Sequence, residues 1–253
     1  MGQIMSQVKK EVDVEFNVIT PFGPKVGVGA LQKAIYKKFE KIANKTLKEE
    51  ELPLNSELAG RINSEYRIND KHFTNTNLGA FVDKSVEVYL RTCIMEVQGE
   101  AAAKNTQINL ERWDGWVNEM KSYEYNPAHF HPHCQISTIF FFSNHEDFMG
   151  TPIHTLHGPD KTDGHLKDYT TDGCLEFICK SEGSAGQIEL GSWRTAPQKG
   201  DFYIFPAYLL HTVYPFVSDK TRISASINYN VGLSGAKHRQ QKSGDNNECT
   251  VLG

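Results

Sequence analysis

From residue 11 to residue 18 the chain switches between polar and apolar at every step, Glu11-Val12-Asp13-Val14-Glu15-Phe16-Asn17-Val18. Side chains two apart on a strand share a face. Val12, Val14, Phe16 and Val18 therefore predict a half-buried strand, closed by the loop Thr20-Pro21-Phe22-Gly23-Pro24. The period then lengthens. Leu31, Ile35, Phe39 and Ile42 recur at helical spacing with lysines opposite, which predicts an amphipathic helix over about 29–48. Leu58, Ile62 and Tyr66 lie four apart and predict a shorter helix over 56–66. A third helix is expected over 78–97, with Phe81, Val82, Val86, Tyr89, Leu90, Cys93 and Ile94 turned to one side.

After residue 107 the helical period fades. Short aromatic and β-branched runs at 113–120, 136–142, 175–179, 188–190, 202–205, 211–217 and 222–231 predict strands separated by turns. Many short strands after an α-rich beginning predict a mainly β fold, a barrel or sandwich with helices packed on one sheet. The expected organisation is one domain: an α-rich part over 1–106 and a β core over 107–231. Residues 143–174, rich in Gly, Asp, His and Thr, read as a long loop or lid, and 232–253 as a loosely ordered tail.

Composition narrows the classes. Of 253 residues, 39% are hydrophobic and 23% charged, enough to bury a core. The net charge of −4 argues against a general nucleic-acid binder, which needs a basic face. The five cysteines are odd in number and form no CxxC pair, so a disulfide framework is not expected and a reducing cytoplasm fits. Nothing approaches the apolar run that spans a bilayer, and no secretory signal opens the chain. Met1-Gly2-Gln3-Ile4-Met5-Ser6 fits the loose myristoylation pattern, which we read as coincidence.

Candidate chemistry concentrates in the β half. In His129-Phe130-His131-Pro132-His133 both His129 with His131 and His131 with His133 can aim imidazoles at one point. Neutral imidazole suits iron, zinc, copper and nickel. His211, after the aromatic run 202–205, is the natural third ligand. A histidine is by default a surface or core residue, but three in five residues favour a metal. His145, His154, His157 and His165 lie in the polar loop and are expected in solvent. Arg222, Ser224, Ser226 and Asn228 alternate with Ile223, Ala225, Ile227 and Tyr229. Either the polar face lines a cavity, where a guanidinium fork suits a carboxylate, or this is an edge strand with its polar face in water.

Tyr125-Asn126-Pro127-Ala128-His129-Phe130-His131, then Gly200-Asp201-Phe202-Tyr203-Ile204-Phe205-Pro206, then His211 and Arg222-Ile223-Ser224 resemble the 2-oxoglutarate- and iron(II)-dependent oxygenases. The likeness covers roughly 55–231, and its nearest branch is the bacterial and phage one related to prolyl 4-hydroxylases. It implies a double-stranded β-helix, or jelly roll, with Fe(II) held by His129, His131 and His211 and 2-oxoglutarate bound by Arg222 and Ser224. It also implies a hydroxylase that releases succinate and carbon dioxide, with ascorbate as accessory reductant. The substrate is unidentified; a prolyl or other peptide side chain follows by analogy. The chain departs from the usual HxD, because His131 occupies the acid position. His131, His133, Gln135 or water is then left to fill it. Phe141 occupies a position where related enzymes carry a tyrosine, and Phe140-Phe141-Phe142 is expected to wall the pocket. Two alternatives remain: a cupin-like metal enzyme without 2-oxoglutarate, and a non-catalytic β-sandwich.

Overall fold

The computed structural model describes residues 23–50, 53–54, 60–148, 171–179 and 191–235. The expected strands at 11–18 and 188–190, most of the expected lid and most of the tail lie outside them.

Among the described residues, ten strands form two antiparallel sheets. They are β1 (Gly27–Ala30), β2 (Ser64–Arg67), β3 (Gln107–Met120), β4 (Asn126–His129), β5 (Ile136–Phe141), β6 (Leu175–Ile178), β7 (Ser192–Thr195), β8 (Asp201–Pro206), β9 (Leu210–Val213) and β10 (Arg222–Ser234). The larger sheet runs β1-β8-β5-β10-β3-β2 and the smaller β4-β9-β6-β7. From β3 to β10 successive strands mostly alternate between sheets. This is the order of a double-stranded β-helix, the expected jelly roll.

Among the described residues three α-helices accompany the sheets: α1 (Lys33–Glu49), α2 (Asn77–Gln98) and α3 (Glu100–Asn105). Phe39, Ile42 and Ala43 of α1 and Leu78, Val82, Val86 and Leu90 of α2 bury their faces on the larger sheet. There they meet Phe140, Phe142, Phe202, Ile204, Ala225, Ile227 and Tyr229. Phe39 lies 5.0–5.7 Å, ring to ring, from Phe73, Phe140 and Phe142. The opposite faces of the same strands send Met120, Ile139, Phe141, Tyr203 and Phe205 into a second core between the sheets. The larger sheet is thus apolar on both faces. On β10 the alternation breaks that rule: Ala225, Ile227 and Tyr229 join the helical core, while Arg222, Ser224 and Ser226 face the interior between the sheets.

The segment predicted as a helix over 56–66 ends instead in β2, which pairs with β3, Glu65 opposite Asn118. A spacing of four is also an even number, so Ile62 and Tyr66 satisfy a strand as well as a helix; pairing with β3 decides. The first helix starts at Lys33, later than expected, because Gly27–Ala30 pair with β8. β10 continues through Gly232 to Ser234, opposite Asn109 to Gln107, so the tail begins later than expected.

Candidate metal and anion site

The site sits between the sheets, where the smaller sheet brings β4 against β9. His129 and His211 are directly opposite each other in that pairing, and cross-strand neighbours on one face touch. Their ring centroids are 4.2 Å apart. His131 follows two residues beyond His129, past the end of β4, and its backbone N–H donates to the Ala207 carbonyl at 2.9 Å. That bond turns the imidazole back toward its partners. His131 Nε2 lies 3.2 Å from His211 Nε2, and one ring nitrogen from each of the three histidines falls within 4.8 Å of the others.

Second contacts fix how two rings are presented. His211 Nδ1 is 2.9 Å from the Leu209 carbonyl, and His129 Nδ1 is 2.7 Å from the Pro127 carbonyl. A carbonyl can only accept, so each Nδ1 carries the proton and each Nε2 keeps a lone pair. All three rings stay neutral. Burial, with His129 beside it, pushes His131 down to about 3. Burial, with His129 and His131 near, holds His211 well below the ordinary histidine range. Burial likewise lowers His129, opposed by the Pro127 bond. The His211 Nε2 lone pair thus faces His131 Nε2 across 3.2 Å, where it can accept a His131 N–H or share an ion that displaces that proton. Ligands about 2.1 Å from a shared metal would lie roughly 3 Å apart, so the donor set fits a borderline divalent ion such as iron(II).

A cavity of about 220 Å³ opens on these histidines and runs to Arg222, Ser224 and Ser226. Arg222 is fully buried. Its Nε donates to the Gly173 carbonyl at 3.0 Å, and its Nη1 meets Ser224 Oγ at 3.4 Å. The Phe141 ring lies beneath it, 5.0 Å from the guanidinium carbon. Its Nη2 is buried and has no hydrogen-bond partner among the described residues. Burial pulls the Arg222 pKa down to about 10, so the group keeps its charge at neutral pH. A buried cation without a carboxylate beside it is costly until an anion arrives. The residues therefore fit a carboxylate as well as a metal.

The structure brings together His129, His131, His211, Arg222 and Ser224, and selects the cavity placement of β10 over the edge placement. His133 is exposed, at φ 69°, and Gln135 accepts from Val231 N–H at 2.8 Å, so neither reaches the cluster. The aromatic wall is smaller than expected. Phe140 and Phe142 face the helices, and only Phe141 lies on the interior side. His145 is not in solvent: it is buried against Cys174, because residues 145–148 form a 3-10 turn that packs Phe148 on Phe216. His154, His157 and His165 lie outside the described residues. Sequence reasoning missed Asn118 and Asn126, which line the cavity with Trp116 and Met120. The alternation Trp116, Asn118, Met120 along β3 carried that signal.

Residues 114–228 match the family model described as "Putative 2OG-Fe(II) oxygenase". That stretch, just under half of the chain, is similar to the 2-oxoglutarate- and iron(II)-dependent oxygenases. The match indicates a 2-oxoglutarate-dependent oxygenase, with iron(II) and 2-oxoglutarate as its small partners. No curated protein matches its sequence. Among solved structures it is similar to a Pseudomonas putida prolyl-4-hydroxylase, at 13% identity and a TM-score of 0.48 over 81% of this chain and 91% of that one. A viral collagen prolyl hydroxylase from Paramecium Bursaria Chlorella virus-1 is similar at 12% and 0.46, over 84% and 98%. A Trichoplax adhaerens prolyl hydroxylase, solved with a hypoxia inducible factor peptide, is similar at 11% and 0.48, over 82% and 83%.

Proposed function

We propose that this oxygenase holds iron(II) with His129, His131 and His211, anchors 2-oxoglutarate through Arg222 and Ser224, and hydroxylates an uncharged C–H group such as a prolyl or other peptide side chain. The observation that carries the reading is Arg222 Nη2, unpartnered among the described residues and buried in the same cavity as three neutral imidazoles. When bound, the iron supplies the oxidising chemistry, in which 2-oxoglutarate leaves as succinate and carbon dioxide and a C–H bond gains oxygen.

The residues do the rest. The Pro127 and Leu209 carbonyls lock the His129 and His211 tautomers, so no proton must leave before metal binds. His131 replaces the usual carboxylate with a neutral donor, so the ligands leave the full dication to be balanced by the dianionic co-substrate. Arg222 and Ser224 take the distal carboxylate, and Phe141 below keeps water from the guanidinium face. The cavity is also lined by Ile62, Trp116, Phe130 and Pro132. Such apolar walls favour an aliphatic group over a charged one, which supports the peptide side chain.

The test is succinate formation from 2-oxoglutarate with iron(II) and ascorbate, alongside metal analysis. We expect about one metal per chain and slow succinate release even without the true substrate, both lost in His211→Ala. A folded wild-type protein that takes up no metal and releases no succinate would sink the proposal.

A further inference from the structure

Arg222 must be aimed as well as buried, and its aim depends on a turn outside the site. Gly173, at φ 66°, presents the carbonyl that accepts Arg222 Nε. A Cβ there would press on the Phe148 ring at 3.0 Å, so only glycine suits the turn. The turn is tied at both flanks by one side chain. His145 Nε2 lies 3.2 Å from Cys174 Sγ, and its ring also hydrogen-bonds the Asp172 backbone. The imidazole itself hangs from a fixed point, because the His145 N–H donates to the Pro197 carbonyl at 3.1 Å.

We infer that the His145–Cys174 pair is a positioning device: it brackets Gly173, fixes the carbonyl that holds Arg222 Nε, and thereby leaves Nη2 aimed at the co-substrate carboxylate. The inference rests on the function proposed above. Two chemical details agree with the geometry. Burial raises the Cys174 thiol to about 11, so it remains an S–H donor for the imidazole. Burial lowers His145, which keeps it neutral, so no second cation beside Arg222 competes for the anion. Neither residue lines the cavity, so neither is a catalytic residue.

The test is anaerobic calorimetry of the full chain with manganese(II), then with 2-oxoglutarate, on wild type, His145→Leu, Cys174→Ala and His145→Gln. Misaligning one charge-assisted hydrogen bond predicts a 2-oxoglutarate Kd about tenfold weaker in His145→Leu and in Cys174→Ala, with the manganese Kd within about twofold. His145→Gln, whose amide reaches the former Nε2 position, should recover most of that affinity. Unchanged 2-oxoglutarate affinity in both loss variants overturns the inference and leaves the proposed function intact. A parallel loss of manganese binding also overturns it, because it shows general collapse. A wild type that binds manganese but no 2-oxoglutarate overturns both.

Discussion

Glu65 shows how a single residue can carry a pH dependence that its neighbours do not. It sits on β2 opposite Asn118 of β3 and is almost completely buried. Burial first, and Glu124 second, raise its carboxyl to about 8 from an ordinary value of 4.5. Between those two values the folded chain keeps a proton that the unfolded chain has lost. Stability contributed by the neutral form is therefore complete below pH 4.5 and falls as pH rises toward 8. Glu65→Gln keeps the shape and removes the titration. The variant should outlast wild type at pH 8 by roughly 1–3 kcal/mol and match it near pH 4.5. Urea midpoints at both pH values measure this, and parallel curves for the two proteins would refute it. The sequence offered no hint of this acid, because the tool for finding it is the pairing partner. By contrast His129, His131, His211, Arg222 and Ser224 were legible, since same-face alternation on strands brings such residues together whatever the loops do. His145 was not, because its burial comes from Cys174 and Pro197, far away in the chain.

At the scale of elements, α2 and the strands β5, β8 and β10 were readable from periodicity, while β1 and β7 were not. Gly27–Ala30 has one large apolar side chain, and Ser192–Thr195 is largely exposed, so neither carries a face that alternation can detect. The start of α2 adds a constraint that propensity alone gets backwards. Thr76 caps the helix by accepting from Gly79 N–H at 3.1 Å. Alanine at position 79 would favour the isolated helix by about 1 kcal/mol. Its Cβ, however, would overlap the Phe73 carbonyl, which is backbone and has little room to move. Packing should win: Gly79→Ala is expected to destabilise the protein by roughly 1–3 kcal/mol. A lower urea midpoint with an unchanged slope confirms it, and an increase would show that the Phe73 turn yields.

Across the whole molecule the larger sheet divides two cores, and only the inner one is broken by charge. The helical side balances its own ions: Arg112 meets both Asp83 oxygens at 2.7–2.8 Å, and Tyr229 donates to Asp83 as well, so α2, β3 and β10 are tied by a satisfied network. On the inner side Arg222 has a carbonyl, a hydroxyl and a ring, and no carboxylate among the described residues. If that site binds the co-substrate as proposed, stability and binding should separate under mutation. Arg222→Met fills similar space without the charge, and replacing an unpaired buried ion by an apolar chain is neutral to stabilising. Without ligand, its Tm should equal or exceed that of wild type. With manganese(II) present, 2-oxoglutarate at 100 times its Kd should raise the wild-type Tm by roughly 5–10 °C, following a linkage of about 2.7 kcal/mol. Arg222→Met should keep the manganese shift and lose the 2-oxoglutarate shift. A variant that unfolds earlier without ligand would mean that Arg222 supports the jelly roll itself, and a variant that keeps the full shift would place the co-substrate's carboxylate elsewhere.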